Sequence, residues 1–382
     1  MESKPRSKSG PKLEALRNVA SARRLIGCVS VRLRAAMLSV LAALSLTNAA
    51  RADEGGVSFW VPGFFGSLAA VPQQAGFSIM SIYYHTTVSG SGDVGLARER
   101  EIRNIPVGVS ATLNGSVHAT GDLGFVFPNY TFATPVFGGQ ANFGILAAYG
   151  NVSTNLNGSL AGTATAGGVT VPFLRTDSLS DSVSGFGDLI PMFLLRWNVG
   201  VNNYMYYITG DIPVGAYDSM RLSNIGIGHG AIDSGGGYTY FDPKTGHEFS
   251  VTTGFTFNFT NTATDYRNGI DWHTDWGASQ FLTKQLQVGL VGYFYNQLTA
   301  DQGCLPQLCP FKSQVTGVGP QIGYIFPVAG MQGYLNLKAY GEFDGHDRPS
   351  GWNTWLTFVL SPAPPAADKT PPPMLTKAPP RS

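Results

Sequence analysis

Residues 333 to 343 read Gly-Tyr-Leu-Asn-Leu-Lys-Ala-Tyr-Gly-Glu-Phe. In an extended chain Leu335, Leu337, Ala339 and Phe343 fall on one face, and Asn336, Lys338, Tyr340 and Glu342 on the other. A helix would mix the two sets around its circumference; a strand separates them. The same period of two recurs at 251–259, where Val251, Phe255, Phe257 and Phe259 oppose Thr252, Thr256 and Asn258. It recurs again where Phe193, Leu195, Trp197 and Val199 oppose Leu194, Arg196 and Asn198, and where Ile270, Trp272 and Trp276 oppose Asp271, His273 and Asp275. Further strand candidates are 76–85, 104–113, 140–149, 202–212, 236–242, 285–296, 314–326 and 352–360. Many reach the ten or so residues that a tilted strand needs to cross a bilayer.

The segments between the strands support a membrane barrel. Thr283-Lys284, 242–246 and 327–330 are short, whereas 213–235, 297–313 and 344–351 are long and rich in Gly, Asp, Ser or Pro. Outer-membrane barrels alternate short and long connections in this way. The sequence thus predicts an all-β protein, a transmembrane antiparallel β-barrel occupying 76–360. After a leader of 52 residues, 330 remain. That length fits twelve or fourteen strands, and twelve is the expected number, with the low-contrast Thr, Ala and Gly stretches of 112–175 deciding between them. A secreted β-sandwich would also alternate, but with shorter strands and a more charged surface.

Composition agrees. Of 382 residues 13% are charged, against roughly 25% in an ordinary soluble domain. There are 48 glycines, and aromatics make up 12%. A net charge of +1 and the lack of a Gly-x-x period exclude a nucleic-acid binder and a collagen. The near-neutral total joins unlike parts. Residues 1–52 carry ten Lys or Arg against Glu2 and Glu14, a net of +8, so the remainder carries −7. Within this basic leader, Ala35–Leu46 forms an apolar core and Ala50-Arg51-Ala52 offers a small-x-small cleavage site. Residues 1–52 are therefore expected to be a cleaved export segment, 53–75 an N-terminal segment serving as plug or rim, and 361–382 a Pro-rich disordered tail.

Strand parity nominates Arg196, Asn198, Asp271, His273, Asp275, Lys338, Tyr340 and Glu342 as lumen-facing. The aromatics Trp60, Tyr83, Tyr84, Tyr130, Tyr204, Tyr206, Tyr207, Trp272, Trp276, Tyr293, Tyr295, Trp352 and Trp355 are expected to form two interfacial girdles. Cys304 and Cys309, with four residues between them, are compatible with a local disulfide in an oxidising compartment. No catalytic, cofactor-binding or metal-binding residues are assigned. Asp271-x-His273-x-Asp275 spaces its side chains about 6.5–7 Å apart, too far for one strand to supply three ligands at about 2 Å. No Gly-x-Ser-x-Gly elbow of a lipase is present.

Several motifs, taken in order, resemble an outer-membrane β-barrel family named for the meta-pathway of phenol degradation, often labelled as transporters. They include Phe59-Trp-Val-Pro-Gly-Phe-Phe-Gly-Ser-Leu-Ala-Ala-Val-Pro72, Gly185-Phe-Gly-Asp-Leu-Ile-Pro191, Phe241-Asp-Pro-Lys-Thr-Gly246, Gly289-Leu-Val-Gly-Tyr-Phe-Tyr-Asn296 and Val318-Gly-Pro-Gln-Ile-Gly-Tyr324. The resemblance implies passive uptake of small aromatic or other apolar compounds across the bacterial outer membrane, without catalytic residues or cofactor. The alternative is a structural or adhesive barrel without transport. Expected partners are outer-membrane lipids and lipopolysaccharide, the barrel-assembly machinery and small apolar solutes, and no nucleic acid; the sequence sets no oligomeric state. Intact-mass measurement of the protein from outer membranes should give a chain beginning at Asp53; retention of Arg23 or Arg24 in the mature protein would contradict cleavage after Ala52.

Overall fold

The structure is a computed structural model of the whole chain, and it describes residues 58–102, 105–166, 169–303 and 312–364. Among the described residues twelve strands form one closed barrel. They are β1 (Gly76–Ile102), β2 (Ile105–Thr131), β3 (Gln140–Ala166), β4 (Val169–Val199), β5 (Asn202–Asp211) and β6 (Ala231–Phe241). The circuit continues with β7 (His247–Asn258), β8 (Asp271–Phe281), β9 (Leu286–Gln297), β10 (Gln314–Val328), β11 (Met331–His346) and β12 (Ser350–Pro362). Each strand pairs antiparallel with its sequence neighbours, and β1 closes on β12 from Ile79↔Leu360 to Ser89↔Ser350. Each alternating segment read from the sequence falls in a different strand.

The low-contrast region 112–175 holds no further strands. It is taken up by most of β2, the 132–139 turn, all of β3 and the start of β4. β1, β2 and β3 have 27 residues each and β4 has 31, against about 9–11 for one crossing. Two hairpins therefore stand well beyond the bilayer and form a tall four-stranded flap. In the described part of the flap most side chains on both faces are exposed or half-exposed, so little burial enforces the hydrophobic contrast that reveals strands lower down. β12 runs to Pro362, paired with Met331, so the ladder goes two residues past its expected end at 360. A proline is tolerated at such a terminal position because its missing N–H removes little from the ladder.

At one end of the barrel the strands are joined by 132–139, 200–201, 242–246, 282–285 and 329–330. Gly246 and Gly330 turn tightly there with φ of 75° and 77°, values open to glycine without strain. The longer connections 212–230 and 259–270 cover the other end. Asp301 clasps the second of these: its carboxylate accepts from Tyr266 Oη, Gly269 N and Gln297 Nε2. Burial pushes the Asp301 carboxyl above its ordinary pKa, and the donated hydrogen bonds oppose the shift.

The outward faces are apolar. Phe255, Phe257, Leu335, Leu337 and Ile322 are all exposed, while the intervening Thr252, Thr256, Asn336 and Lys338 are buried. That is inverted relative to a soluble protein and suits a lipid solvent. Leu337→Arg should lower the unfolding free energy in lipid vesicles by about 2–4 kcal/mol, whereas Arg at the water-exposed Ser180 should leave it nearly unchanged.

Candidate functional site

Parity places two kinds of side chain inside the barrel. One sector is aromatic and aliphatic: Ile82 and Tyr84 of β1, Phe125 and Phe127 of β2, Leu146 of β3, Met192 and Leu194 of β4, and Trp355 of β12 are buried in one cluster. Tyr84 and Trp355 lie 4.5 Å apart between ring centroids, and Tyr293 and Tyr340 continue the cluster at 4.9 Å. The opposite sector is polar, with Asp233 of β6, Glu248 of β7 and Asp271, His273 and Asp275 of β8 all buried, while the buried Lys338 of β11 lies beside the aromatic sector, its Nζ 5.2 Å from the Trp355 ring centroid.

The expected girdles need correction. Tyr83, Tyr130, Tyr204, Tyr206 and Trp352 are exposed on the outer face, but Trp60, Tyr84, Tyr207, Tyr293, Tyr295 and Trp355 are buried inside. Neighbours such as Tyr83 and Tyr84, or Tyr206 and Tyr207, cannot share a face of one strand. Composition counted these rings without regard to parity.

Residues 58–75 run through this interior. Ser58 hydrogen-bonds with Arg348 at the long-loop end, and Phe59 packs on Ile227. At the short-turn end the Gln73 amide donates to Gln140 Oε1 and its carbonyl accepts from Gln140 Nε2. Between them, Lys338 Nζ donates to the carbonyls of Gly63, Phe64 and Phe65 at 2.6, 3.3 and 3.1 Å. From the other side, Asp275 accepts from the amides of Gly63 at 2.9 Å and Phe65 at 3.0 Å. One cation thus binds the turn's acceptors and one anion its donors, which offsets the desolvation of two buried charges. Gly63 has φ 89°, and a Cβ there would press on the Tyr340 ring. Further along, the Leu68 amide donates to Glu248 Oε1 and Ser250 Oγ, the Ala70 amide to Thr239 Oγ1, and Arg196 Nε to the Ala69 carbonyl.

The aromatic side chains of the segment fill the centre. Trp60 stacks on His273 with centroids 3.8 Å apart and planes 13° off parallel. Phe65 meets Tyr207 at 5.4 Å and Phe64 meets Trp355 at 6.3 Å. Beneath Trp60, His273 Nε2 lies 2.8 Å from Asp233 Oδ2, which also accepts from Thr256 Oγ1 at 2.6 Å. Tyr207 reaches this dyad because positions 235 and 254 are glycine: a Cβ at either would collide with its hydroxyl.

Of the nominated residues, Arg196, His273, Asp275, Lys338 and Tyr340 touch the segment. Asp271 is held instead by Asn258, and Glu342 accepts from Tyr293 Oη, Asn353 Nδ2 and the Gly351 amide. Asn198 is exposed beside the β4–β5 turn, donating to Gly200 O and Asn203 Oδ1. Glu248, Ser250 and Thr239 were missed, although Glu248 and Ser250 share the face of Thr252 and Thr256 by simple parity. Cys304 and Cys309 lie outside the described residues, as do all of the 1–52 leader and residues 365–382 of the tail.

The family described as "Putative MetA-pathway of phenol degradation" matches residues 103–358. The chain belongs to this family. Among solved structures, the COG4313 outer membrane channel from Pseudomonas putida F1 aligns with a TM-score of 0.55 at 12% identity, covering 79% of this chain and 99% of that one. OccK10 (OpdN) from Pseudomonas aeruginosa aligns at TM-score 0.27 and 9% identity over 77% and 100% of the two chains. CdiB from Acinetobacter baumannii aligns at 0.27 and 10% over 74% and 60%. No curated protein matches by sequence. This member of the phenol-degradation family thus has the fold of an outer-membrane channel, and its place is the bacterial outer membrane.

Lys338→Met should leave a folded, heat-modifiable barrel but speed hydrogen exchange at the Gly63 and Phe65 amides at least tenfold, since each bond to a charged group contributes about 1.5–3 kcal/mol. Unchanged exchange would show that Lys338 does not hold the turn.

Proposed function

We propose that the protein is a passive outer-membrane channel for small hydrophobic or aromatic compounds, inserted by the barrel-assembly machinery and opened by displacement of 58–75 from the lumen. The stacking of Trp60 on His273 within an aromatic inner wall carries this reading. The wall already accommodates planar rings of its own chain, so it offers a planar solute the same contacts at centroid separations of about 4.5–7 Å. Buried polar groups are rich enough to orient a solute. Asp233 Oδ1, His273 Nδ1 and Trp60 Nε1 have no hydrogen-bond partner among the described residues. A solute held this way binds weakly enough to leave, as conduction requires.

The reading implies a competition. An aromatic solute and the rings of Trp60, Phe64 and Phe65 seek the same surfaces, so a solute shifts the segment outward by its differential affinity for the open state. A structural or adhesive barrel would have no use for such competition.

The discriminating experiment uses protein reconstituted in liposomes and a deletion strain with its complemented control. Removal of residues 58–72 should raise single-channel conductance severalfold, and the wild-type protein should accelerate entry of aromatic solutes over glucose. The deletion strain should take up aromatic or aliphatic carbon sources more slowly than the complemented strain. Equal uptake across the panel, with no conductance from either protein, would favour the barrel without transport.

A further inference from the structure

The outer face of the flap changes character at one level. Tyr83, Gly124, Tyr149 and Phe186 lie side by side across β1 to β4. Their three rings are exposed, and Tyr149 and Phe186 meet edge to face at 4.9 Å. Such a row is what a barrel presents at the membrane–water interface.

The next four outward rows contain no apolar side chain. The lowest, two residues above the aromatic row, is His85, Asp122, Asn151 and Ser184. The highest is Ser91, Ser116, Asn157 and Ser178, and the two between consist of Ser, Thr, Asn and one His. Parity, not local composition, produces this wall, since the same strands turn Val117, Leu156 and Leu179 to the opposite face. From Tyr83 to Ser91 the wall climbs roughly 26 Å along the strand.

Near its top the wall is grooved. Ser91, Ser116, Asn157 and Ser178 form one bank, Asn114, Ser159 and Thr176 the other, and Gly115, Gly158 and Asp177 the floor, around about 640 Å³ of open groove. Parity turns positions 115, 158 and 177 to the opposite face, so the floor on this side is backbone between two banks of hydroxyls and amides.

We propose that this wall, with the groove as its tightest site, binds the saccharide part of lipopolysaccharide. Three observations select that occupant. The wall continues directly from the lipid-facing surface, so it stands in the layer just outside the outer leaflet. Its hydroxyls and amides both donate and accept, which suits a polyhydroxylated ligand. None of its residues is Lys or Arg, the side chains that phosphate recognition requires. A second copy of the chain is a poor occupant, because stable protein interfaces are built around apolar centres.

The test uses the full-length protein in neutral detergent and two forms of lipopolysaccharide: one with complete core sugars and one truncated to the lipid and its inner acidic sugars. The complete form should bind about tenfold tighter, equivalent to about 1.4 kcal/mol. Delipidated core oligosaccharide should compete with it. Ser116→Ala/Asn157→Ala/Ser178→Ala should remove the difference while heat-modifiability and solute entry stay as in wild type. Equal binding of the two forms by the wild type, or no competition by the oligosaccharide, overturns the proposal without recourse to the variant. A variant that loses self-association rather than glycoform preference, as read by sedimentation, would overturn it in favour of an interface between copies.

Discussion

Two buried charges of opposite sign, set on neighbouring faces of one three-residue turn, hold the interior of this barrel together. A lysine or a carboxylate in a lumen shielded from water is unfavourable unless every donor and acceptor is used. Lys338 uses its three donors on carbonyls and Asp275 its two oxygens on amides. The groups they satisfy are backbone groups of a segment that has no secondary structure of its own and would otherwise bury unpaired polar atoms. The charges and the segment therefore need one another. The tight turn at Gly63, the stacked Trp60 and the filled centre all follow from that mutual requirement.

Much of the fold was legible in the sequence because a barrel in lipid has its period written on both faces. In β7, Phe255 and Phe257 must face lipid, so Thr252 and Thr256 must face inward, and no other arrangement satisfies a strand there. The eight nominated interior residues came from the same rule. What it could not supply was the identity of their partners. Nothing in the order of residues along β11 says that Lys338 meets carbonyls 275 positions away, because closure of the sheet, not local pattern, brings them together.

One misreading and one stretch of low contrast have a common cause. The aromatics were counted as a class, and counting ignores that Tyr206 and Tyr207 point in opposite directions. The region 112–175 was judged by contrast between faces, yet contrast arises only where one face is hidden from water. In the described part of β1 to β4 above the aromatic row most side chains on both faces are exposed or half-exposed, so their alternation is between small polar and modestly apolar residues and carries little amplitude. The signal that was present, a run of Ser and Asn at every second position in β3 and β4, marks a strand by its regularity and not by its hydrophobicity.

The direction of residues 58–75 has a consequence for how the molecule is assembled. The segment passes from the long-loop end at Ser58 to the short-turn end, where Gly76 begins β1, and β1 is the strand that must find β12 to close the ring. Its anchors lie on β4, β6, β7, β8 and β11, which come later in the chain. Once the hoop has closed, the segment could reach its bed only by threading lengthwise through the ring. The natural order is therefore that the half-formed sheet curls around the segment before the last seam, between the first and last strands, zips, and that the lengthwise path through the ring is left as its way out.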